Sequence, residues 1–469
     1  MNSVLRPAPT LIVAGLLMET VWIGLLRVLQ TDLMSVVQVT QVMTLISALA
    51  ALCALYGSAY LASRWGSRPD DRTVIIFFAA LFAATLLISG PPRTSTDAAG
   101  YVFYGRTLSV YGQNTYAVVP RDRPQDPIIP YICPCWMNWP NPYGPGWTAI
   151  MAAVTALSAR GDAVFQMTAF KAVGVLFYFG CLLLIWFLTR GTLGFREDQA
   201  TRALLLFAWN PVVLFETIQN GHNDLVMIFF VLLTAALLAA RKTLAAGAAF
   251  GLSLLMKYIT AAALPLMLVE LTARGAAPRP SAPRRVLKFA AGLALVSLPL
   301  AAWLWNGGTM LTGLANQSGQ WDYTTVSPFI FAVWLARPLF STATPAVWMS
   351  SAAQPAAALA FTLFLTVLTI RMIGRPATPR RLIRYTLFCL AGYLLIYSSW
   401  MMTWYAIWLI PLFILLDDLT GLAVASVASA AAYLIHPLPA AASGAFAYLF
   451  LWSIRKAAAL VRRLRRSVR

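Results

Sequence analysis

Asp97 is the first residue whose setting points to chemistry, because it lies in a polar stretch of an otherwise apolar chain. The stretch runs from Thr94 to Trp147 and is rich in Tyr, Pro, Asn, Trp and charged residues. Ordered loops of this length are uncommon and usually carry function. A carboxylate that is partly desolvated near a bilayer surface can act as a general base toward a hydroxyl group. The alternative is that Asp97 only caps the helix that begins at Ala98.

The same stretch ends in Asn-Pro-Tyr-Gly-Pro-Gly at residues 141–146, a composition typical of a turn. This turn is expected to lead into a helix and to form one wall of a substrate pocket, with Tyr143 contacting a sugar. Asp122 and Asp126 lie on a Pro-rich part of the loop and are expected to be solvated.

A second polar cluster lies within FAWNPVVLFETIQNGHNDLVMIFF, where Glu216 falls inside an apolar run. The head of the following run contains Asn220, His222, Asn223 and Asp224. Ionisable side chains at membrane depth are costly, so such residues indicate a functional site by default. Capping of the next helix by Asn223 or Asp224 is the alternative, although it accounts for one residue and not for the cluster.

Lys257 is a lone lysine between two apolar runs, and an aromatic cluster with Trp404 and Tyr405 follows later in the chain. The Lys257 ammonium could contact a phosphate at the outer leaflet, or its stem could simply extend toward the membrane surface. Trp404 and Tyr405 belong either to an aromatic belt or to a platform on which a lipid or sugar stacks.

Residues that could hold a metal are few in this sequence. His222 with one aspartate is too little for a zinc site, and no pair of carboxylates near Asp97 has ligand spacing. Cys133 and Cys135, in a Cys-Pro-Cys sequence, are either two loop thiols or a disulfide with each other. We therefore predict no cofactor, with a divalent metal as the less favoured alternative.

The chain that must position these residues is strongly hydrophobic, with 60% apolar and 11% charged residues. Long apolar runs without period-two alternation predict an all-α, polytopic transmembrane protein and not a β-barrel. We predict about 12–14 spans. Trp147–Ala159 and Ser327–Phe340 are short and are predicted to be re-entrant or interfacial helices. The candidate spans cover roughly 10–30, 38–62, 73–90, 163–189, 201–218, 222–240, 243–256, 258–273, 286–305, 355–371, 382–399, 404–417, 419–436 and 440–455.

The net charge of +19 is distributed in the manner of a membrane protein. Lys and Arg lie mainly in short connectors between apolar runs and in a tail over residues 455–469, suited to membrane lipids with anionic headgroups. This positive-inside pattern predicts cytoplasmic termini and argues against nucleic-acid binding. The large first loop, residues 91–146, is then on the outer face of a bacterial inner membrane, toward the periplasm or exterior. Residues 1–469 are interpreted as one transmembrane domain.

Several segments resemble one known family. Asp97, Tyr101, YGQNTYAVVP, Trp139 and NPYGP, with WNPVVLFETIQNGHND and TWYAIWLIP, are similar to bacterial polyprenyl-phosphate-mannose-dependent α-(1→6)-mannosyltransferases of the GT-C superfamily. The family typically has Asp-Val-Tyr-Ser-Tyr where this chain has Asp-Ala-Ala-Gly-Tyr at 97–101. It has Asp-Pro-Tyr where this chain has Asn-Thr-Tyr at 114–116. These differences bear on which sugar is transferred.

The resemblance implies a GT-C-like membrane glycosyltransferase that moves a sugar, mannose by family, from a polyprenyl-phosphate donor to a glycan or glycolipid acceptor. Asp97 would deprotonate the acceptor hydroxyl as it attacks the anomeric carbon with inversion. Lys257, and an arginine such as Arg106, would stabilise the departing phosphate. The turn over residues 222–224 would bind the sugar or orient the acceptor. The other candidate substrate contacts are Tyr101, Tyr143, Asn220, Trp404 and Tyr405.

A polytopic transporter or lipid-linked-sugar flippase without transferase activity is the main alternative, since it would also combine many spans with buried charges. It should show internal repeats and interrupted helices at the bilayer midplane, and the two halves of this sequence show no convincing repeat. It also gives no reason for a long ordered loop on one side. A structural partner of another envelope enzyme is a third hypothesis, under which Asp97 would be dispensable.

Overall fold

The computed structural model describes residues 7–29, 39–64, 69–92, 94–273, 280–311, 327–341, 348–398 and 402–435. Over these residues the chain is helical and contains no β-strand, so the predicted all-α class is confirmed. The α-helices are, in chain order, α1 (Pro7–Val28), α2 (Val39–Ser63), α3 (Pro69–Ile88), α4 (Asp97–Ser109), α5 (Pro145–Leu157), α6 (Ala163–Phe187), α7 (Glu197–Ala208), α8 (Pro211–Leu214), α9 (Asp224–Ala239), α10 (Thr243–Met256), α11 (Leu264–Thr272), α12 (Ala282–Leu304), α13 (Pro328–Leu335), α14 (Arg337–Phe340), α15 (Gln354–Met372), α16 (Pro379–Gly392), α17 (Ile410–Leu415) and α18 (Leu419–Ile435).

Six helices in the described ranges are long and apolar enough to cross a membrane. They cover residues 8–28, 41–63, 70–88, 163–192, 282–304 and 351–372. The pair Glu197–Ala208 and Pro211–Gln219, bent by 47°, makes a seventh if it is one span.

Fewer full-length spans are therefore seen than the sequence predicts, although the polytopic membrane class is confirmed. Several predicted spans coincide with apolar helices of 10–17 residues. At about 1.5 Å per residue these are shorter than the roughly 30 Å hydrocarbon core of a bilayer. The predicted span over 440–455 and the basic tail over 455–469 lie outside the described residues.

Helix α5 has 13 residues and is too short to span a bilayer, in agreement with the predicted interfacial or re-entrant helix. It packs directly on α4. A Cβ atom added at Gly105 of α4 would lie 2.4 Å from the Met151 carbonyl oxygen of α5, so the two backbones are in contact. This packing fixes both ends of the 91–146 loop against each other.

A break in the helical backbone after α7 precedes the second polar cluster and positions it. Pro211 has no N–H to donate, and the Asn210 side chain accepts hydrogen bonds at 3.0 and 3.2 Å from the two N–H groups that follow it. A π-helical turn over Phe215–Gln219 comes next. Gly221 then has a left-handed φ of +72°, which glycine adopts without steric penalty, and the chain turns into α9.

A buried ion pair stabilises the 91–146 loop. Arg106 Nε donates to Asp126 Oδ2 at 2.9 Å, and the Tyr111 hydroxyl donates to the same oxygen at 2.6 Å. The Asp126 side chain is 0% exposed, so the prediction that it is solvated is wrong. A carboxylate is tolerated in this position because its charge is paired and hydrogen-bonded. Asp122 is exposed, as predicted.

Candidate functional site

Asp97 begins α4, and the N-cap position of that helix belongs to Thr96. The Asp97 carboxylate instead contacts two side chains from distant parts of the chain. Its Oδ2 lies 3.3 Å from His222 Nδ1 and accepts a hydrogen bond from the Tyr143 hydroxyl at 3.4 Å. The Asp97 backbone N–H donates to Ser95 Oγ at 3.2 Å, which fixes the start of the helix. The carboxylate is 15% exposed and so remains reachable from outside the cluster.

His222 lies between two carboxylates and is completely buried. Its Nδ1 faces Asp97, and its Nε2 lies 3.6 Å from Glu216 Oε2. The imidazole stacks on Trp404 with ring centroids 3.7 Å apart and an interplanar angle of 18°. Asn220 Nδ2 donates to the same Glu216 oxygen at 2.9 Å. Glu216 and Trp404 therefore fix the orientation of the ring that faces Asp97.

A second charged pair lies at the start of α9. Lys257 Nζ is 2.7 Å from Asp224 Oδ1, and Trp408 Nε1 donates to the same oxygen. The Lys257 ammonium also lies over the rings of Tyr405 and Trp408, at 5.4 and 5.8 Å from their centroids. The Asp224 side chain is 0% exposed and that of Lys257 is 16% exposed. The lysine therefore has a partly accessible ammonium whose counterion is buried.

A pocket beside Asp97 is lined by aromatic side chains of the 91–146 loop and the following turn. Tyr104, Trp136 and Tyr143 contribute to its wall. The Tyr101 ring lies below them and meets Tyr143 edge to face with centroids 5.1 Å apart. The cavity itself measures about 20 Å³, which is room for one hydroxyl group beside the Asp97 carboxylate and not for a whole sugar ring. The aromatic side chains that line it are of the kind that pack on the apolar side of a sugar.

The wall of this pocket includes the segment with the two loop cysteines. Cys133 and Cys135 form a disulfide, which decides between the alternatives that the sequence leaves open. Cys135 also belongs to the short 3₁₀ turn Pro134–Trp136. The disulfide thus closes the turn that presents Trp136 to the pocket.

Several buried polar atoms near Asp97 have no hydrogen-bond partner within the described part of the chain. They are the Tyr101 hydroxyl, both side-chain amide atoms of Asn223, Asp224 Oδ2, the Thr403 hydroxyl and both ring nitrogens of His222. The His222 nitrogens lie close to Asp97 and Glu216 but are not aligned for a hydrogen bond with either carboxylate. Buried polar groups are paired in roughly nine cases of ten or more. Their concentration here indicates a site built to hydrogen-bond a polar molecule.

The electrostatic surroundings of Asp97 favour its ionised form. Burial, the largest influence, raises the pKa of Asp97, but the close contact with His222 and its charge, the charge of Lys257 and the Tyr143 hydroxyl outweigh it. The pKa of Asp97 consequently lies below its usual value. Burial and the Asp97 charge raise the pKa of Tyr143 well above its usual value, so its hydroxyl stays a donor. Asp97 is thus an ionised carboxylate at neutral pH. The sequence suggests that partial desolvation sets its basicity, whereas in the structure the neighbouring side chains outweigh desolvation.

Most of the predicted site residues come together in this region, and Arg106 does not. The guanidinium of Arg106 pairs with Asp126 in the loop, and the pKa of Arg106 is raised because that pairing outweighs the effect of burial. Sequence reasoning missed Trp136, which no local pattern marks. It placed Trp408 in the aromatic cluster with Trp404 and Tyr405 but missed its hydrogen bond to Asp224. It also missed Lys171, although a lone cation inside an apolar run is a signal of function.

Among the described residues, no group of three or more His, Cys, Asp or Glu side chains is arranged to hold a metal ion. Independence of a divalent metal stays a prediction.

The fold and the site define a class: a polytopic helical membrane protein whose polar site is assembled from a long loop and from turns between apolar helices. The model of one family, described as alpha-(1->6)-mannopyranosyltransferase, N-terminal domain, matches residues 8–273. The chain belongs to this family, and the resemblance inferred from the sequence is confirmed.

A curated relative agrees with this assignment. Alpha-(1->6)-mannopyranosyltransferase A of Corynebacterium glutamicum is 26% identical over 259 residues, which are 52% of this chain and 51% of that protein. The chain therefore aligns with about half the length of this relative.

Proposed function

We propose that the protein is an inverting glycosyltransferase that moves a mannose residue from a polyprenyl-phosphate donor to a glycan or glycolipid acceptor. The reaction would take place on the outer face of a bacterial inner membrane. The observation that carries the proposal is the ionised Asp97 carboxylate, held by His222 and Tyr143 at an aromatic pocket with unpaired buried polar atoms around it. Membership of the mannosyltransferase family supports the choice of sugar and reaction.

In the proposed step, the acceptor hydroxyl enters the pocket and its proton faces Asp97 Oδ2. The hydroxyl oxygen forms a bond to the anomeric carbon while the bond from that carbon to the phosphate oxygen breaks. The proton passes to Asp97, and the bonding pair leaves with the polyprenyl phosphate, so the configuration inverts. The hydroxyl becomes acidic only as it attacks, and therefore a carboxylate of low pKa can act as the base.

The proposed role of Lys257 is to stabilise the charge that develops on the departing phosphate. Its ammonium is partly exposed and close enough to influence the charge of Asp97. Arg106 has no part in this proposal because its guanidinium is committed to Asp126. The unpaired amide of Asn223 and the free oxygen of Asp224 are suited to bind sugar hydroxyls.

Transfer of radiolabelled sugar from synthetic polyprenyl-phosphate donors to membrane acceptors tests the proposal. The wild type is compared with Asp97→Asn, and with Asp122→Asn as a matched control for an exposed aspartate of the same loop. We expect Asp97→Asn to lose at least about two orders of magnitude in rate, as for removal of a general base. The control should keep the wild-type rate.

Two outcomes would overturn the proposal. If Asp97→Asn is as active as the wild type at equal expression and thermal stability, Asp97 is not the base. If the wild type consumes none of the mannose, glucose or arabinose donors, the transferase assignment fails. Transport of the lipid-linked sugar across reconstituted vesicles would then be measured.

A further inference from the structure

Lys171 is a fully buried lysine in α6 that lies beneath the Asp97 cluster. Its Nζ donates to the carbonyl oxygens of Leu86 and Gly90 at 2.5 and 2.6 Å, where α3 ends. The same ammonium lies 3.2 Å from Ser89 Oγ and 3.5 Å from Gln219 Oε1. One side chain thus contacts both the segment that leads to α4 and the π-helical turn that precedes His222.

These two segments are also joined to each other. Ser89 Oγ donates to Gln219 Oε1 at 2.7 Å, and Gln219 Nε2 donates to the Pro91 carbonyl oxygen at 3.4 Å. Further along, Thr94 Oγ1 donates to Asn220 Oδ1 at 3.0 Å. Ser89, Pro91 and Thr94 therefore each contact Gln219 or Asn220.

The segments continue directly into the cluster. Asp97 is the third residue after Thr94, and His222 is the second residue after Asn220. Gly221 lies between Lys171 and the start of α4, since an added Cβ atom would be 3.8 Å from Lys171 Cγ and 3.9 Å from Ala98 Cβ. A displacement of either segment would change the 3.3 Å separation of Asp97 and His222.

An apolar residue would fill the same space at lower desolvation cost, because a buried ammonium must be matched by oxygen ligands. The last carbonyl groups of α3 supply such ligands, and the partial negative charge at a helix C-terminus attracts a cation. The ammonium therefore joins backbone groups that no apolar side chain could hold together.

We propose that Lys171 is a positioning residue that sets the contact between Asp97 and His222 by clamping the end of α3 to the turn before His222. The inference rests on the proposed function, because Asp97 is taken as the base. Lys171 itself does not touch the substrate.

The test compares Lys171→Met with Lys171→Arg and with Arg381→Met. Arg381 is a matched control because it is also buried, pairs with Glu270 and donates to a backbone carbonyl, that of Arg375, outside the Asp97 cluster. Thermal unfolding in detergent is measured for each variant, so that activity is expressed per folded protein.

We expect Lys171→Met to lower kcat by about 10–100-fold, since displacement of a catalytic group by about 1 Å has such effects. Its KM for the donor should stay near the wild-type value. The acidic limb of its pH–rate profile should move to higher pH because Asp97 loses its contact with His222. Lys171→Arg should recover part of kcat, and Arg381→Met should retain kcat and the pH profile. The titratable groups that face Asp97 are His222, Lys257, Tyr143, Tyr101, Tyr104 and Tyr405.

Equal kcat and pH profiles for Lys171→Met and Arg381→Met would overturn the inference while leaving the proposed function intact. Amide hydrogen exchange provides a second readout that needs no activity. Peptides over residues 89–97 and 219–224 should exchange their amide hydrogens faster in Lys171→Met than in the wild type. In Arg381→Met their exchange rates should equal those of the wild type. If the wild type transfers no sugar, the proposed function fails, and the exchange result alone decides whether Lys171 joins the two segments.

Discussion

Replacement of His222 by phenylalanine should raise the pKa of Asp97 and thereby narrow the pH range of activity. Burial raises the pKa of this carboxyl, and His222 is the strongest of the groups that lower it. In the wild type the His222 and Trp404 ring centroids are 3.7 Å apart. A phenylalanine side chain keeps a ring that can stack on Trp404, but this ring has no nitrogen atoms to contact Asp97. Asp97 therefore stays buried while it loses the partner 3.3 Å from its Oδ2.

The size of this change follows from the contact that is lost. A well-aligned hydrogen bond to a charged group contributes about 1.5–3 kcal/mol, which is an upper bound on what the 3.3 Å contact supplies. The pKa of Asp97 should thus rise when this contact is lost. Under the proposed function Asp97 acts as an ionised base, so activity is present above its pKa and is lost as the pH falls through it. The variant should lose activity at a pH at which the wild type is still active.

The assay is kcat/KM for transfer from a radiolabelled polyprenyl-phosphate donor, measured from about pH 4 to 8 in detergent. The acidic limb of His222→Phe should lie above that of the wild type, and Asp122→Asn should leave it in place. An acidic limb that stays where it is, or moves to lower pH, would refute the assignment of that limb to Asp97 in contact with His222.

Two further predictions concern the charged pairs. Lys257→Met should lower kcat by about 100-fold or more and also lower the melting temperature, because Asp224 loses its cation. The double variant Lys257→Met/Asp224→Leu should regain stability in thermal unfolding but should not regain activity in the donor assay. Recovery of activity would contradict the proposed role of Lys257. Asp126→Asn should cost about 3–5 kcal/mol of unfolding free energy because Arg106 is left without its partner, while kcat per folded protein stays unchanged.

The sequence predicts the residues of the site better than their pairing. Asp97, His222 and Lys257 are each conspicuous because a charged or polar group beside an apolar run is costly. Their contacts depend on which helices pack together, and no local spacing shows that Lys257 meets Asp224, 33 residues away. The prediction that Asp126 is solvated is wrong for the same reason. Its partner Arg106 lies in α4, and the Pro-rich segment around Asp126 gives no sign of that contact.

The predicted number of spans exceeds the number of long apolar helices in the described ranges for a different reason. Hydropathy records that a segment is apolar but not that its backbone is broken. The run that contains Glu216 reads as one span, yet Pro211 and the π-helical turn divide it and bend it by 47°. The same break turns polar side chains of this run toward Asp97, so the failure of the simple helix pattern coincides with the candidate site.

Under the proposed function Lys257 contacts a donor phosphate, and the arrangement around Asp224 would limit the cost of that movement to the cluster. In the structure Asp224 Oδ1 accepts hydrogen bonds from both Lys257 and Trp408. If the ammonium turns toward a donor phosphate, the indole N–H still pairs with the buried carboxylate, which lowers the cost of leaving that charge without its cation. The rings of Tyr405 and Trp408, with centroids 5.4 and 5.8 Å from the ammonium, add cation–π contacts at this position. Trp408 would thus make Lys257 available to the substrate, although it need not touch the substrate itself.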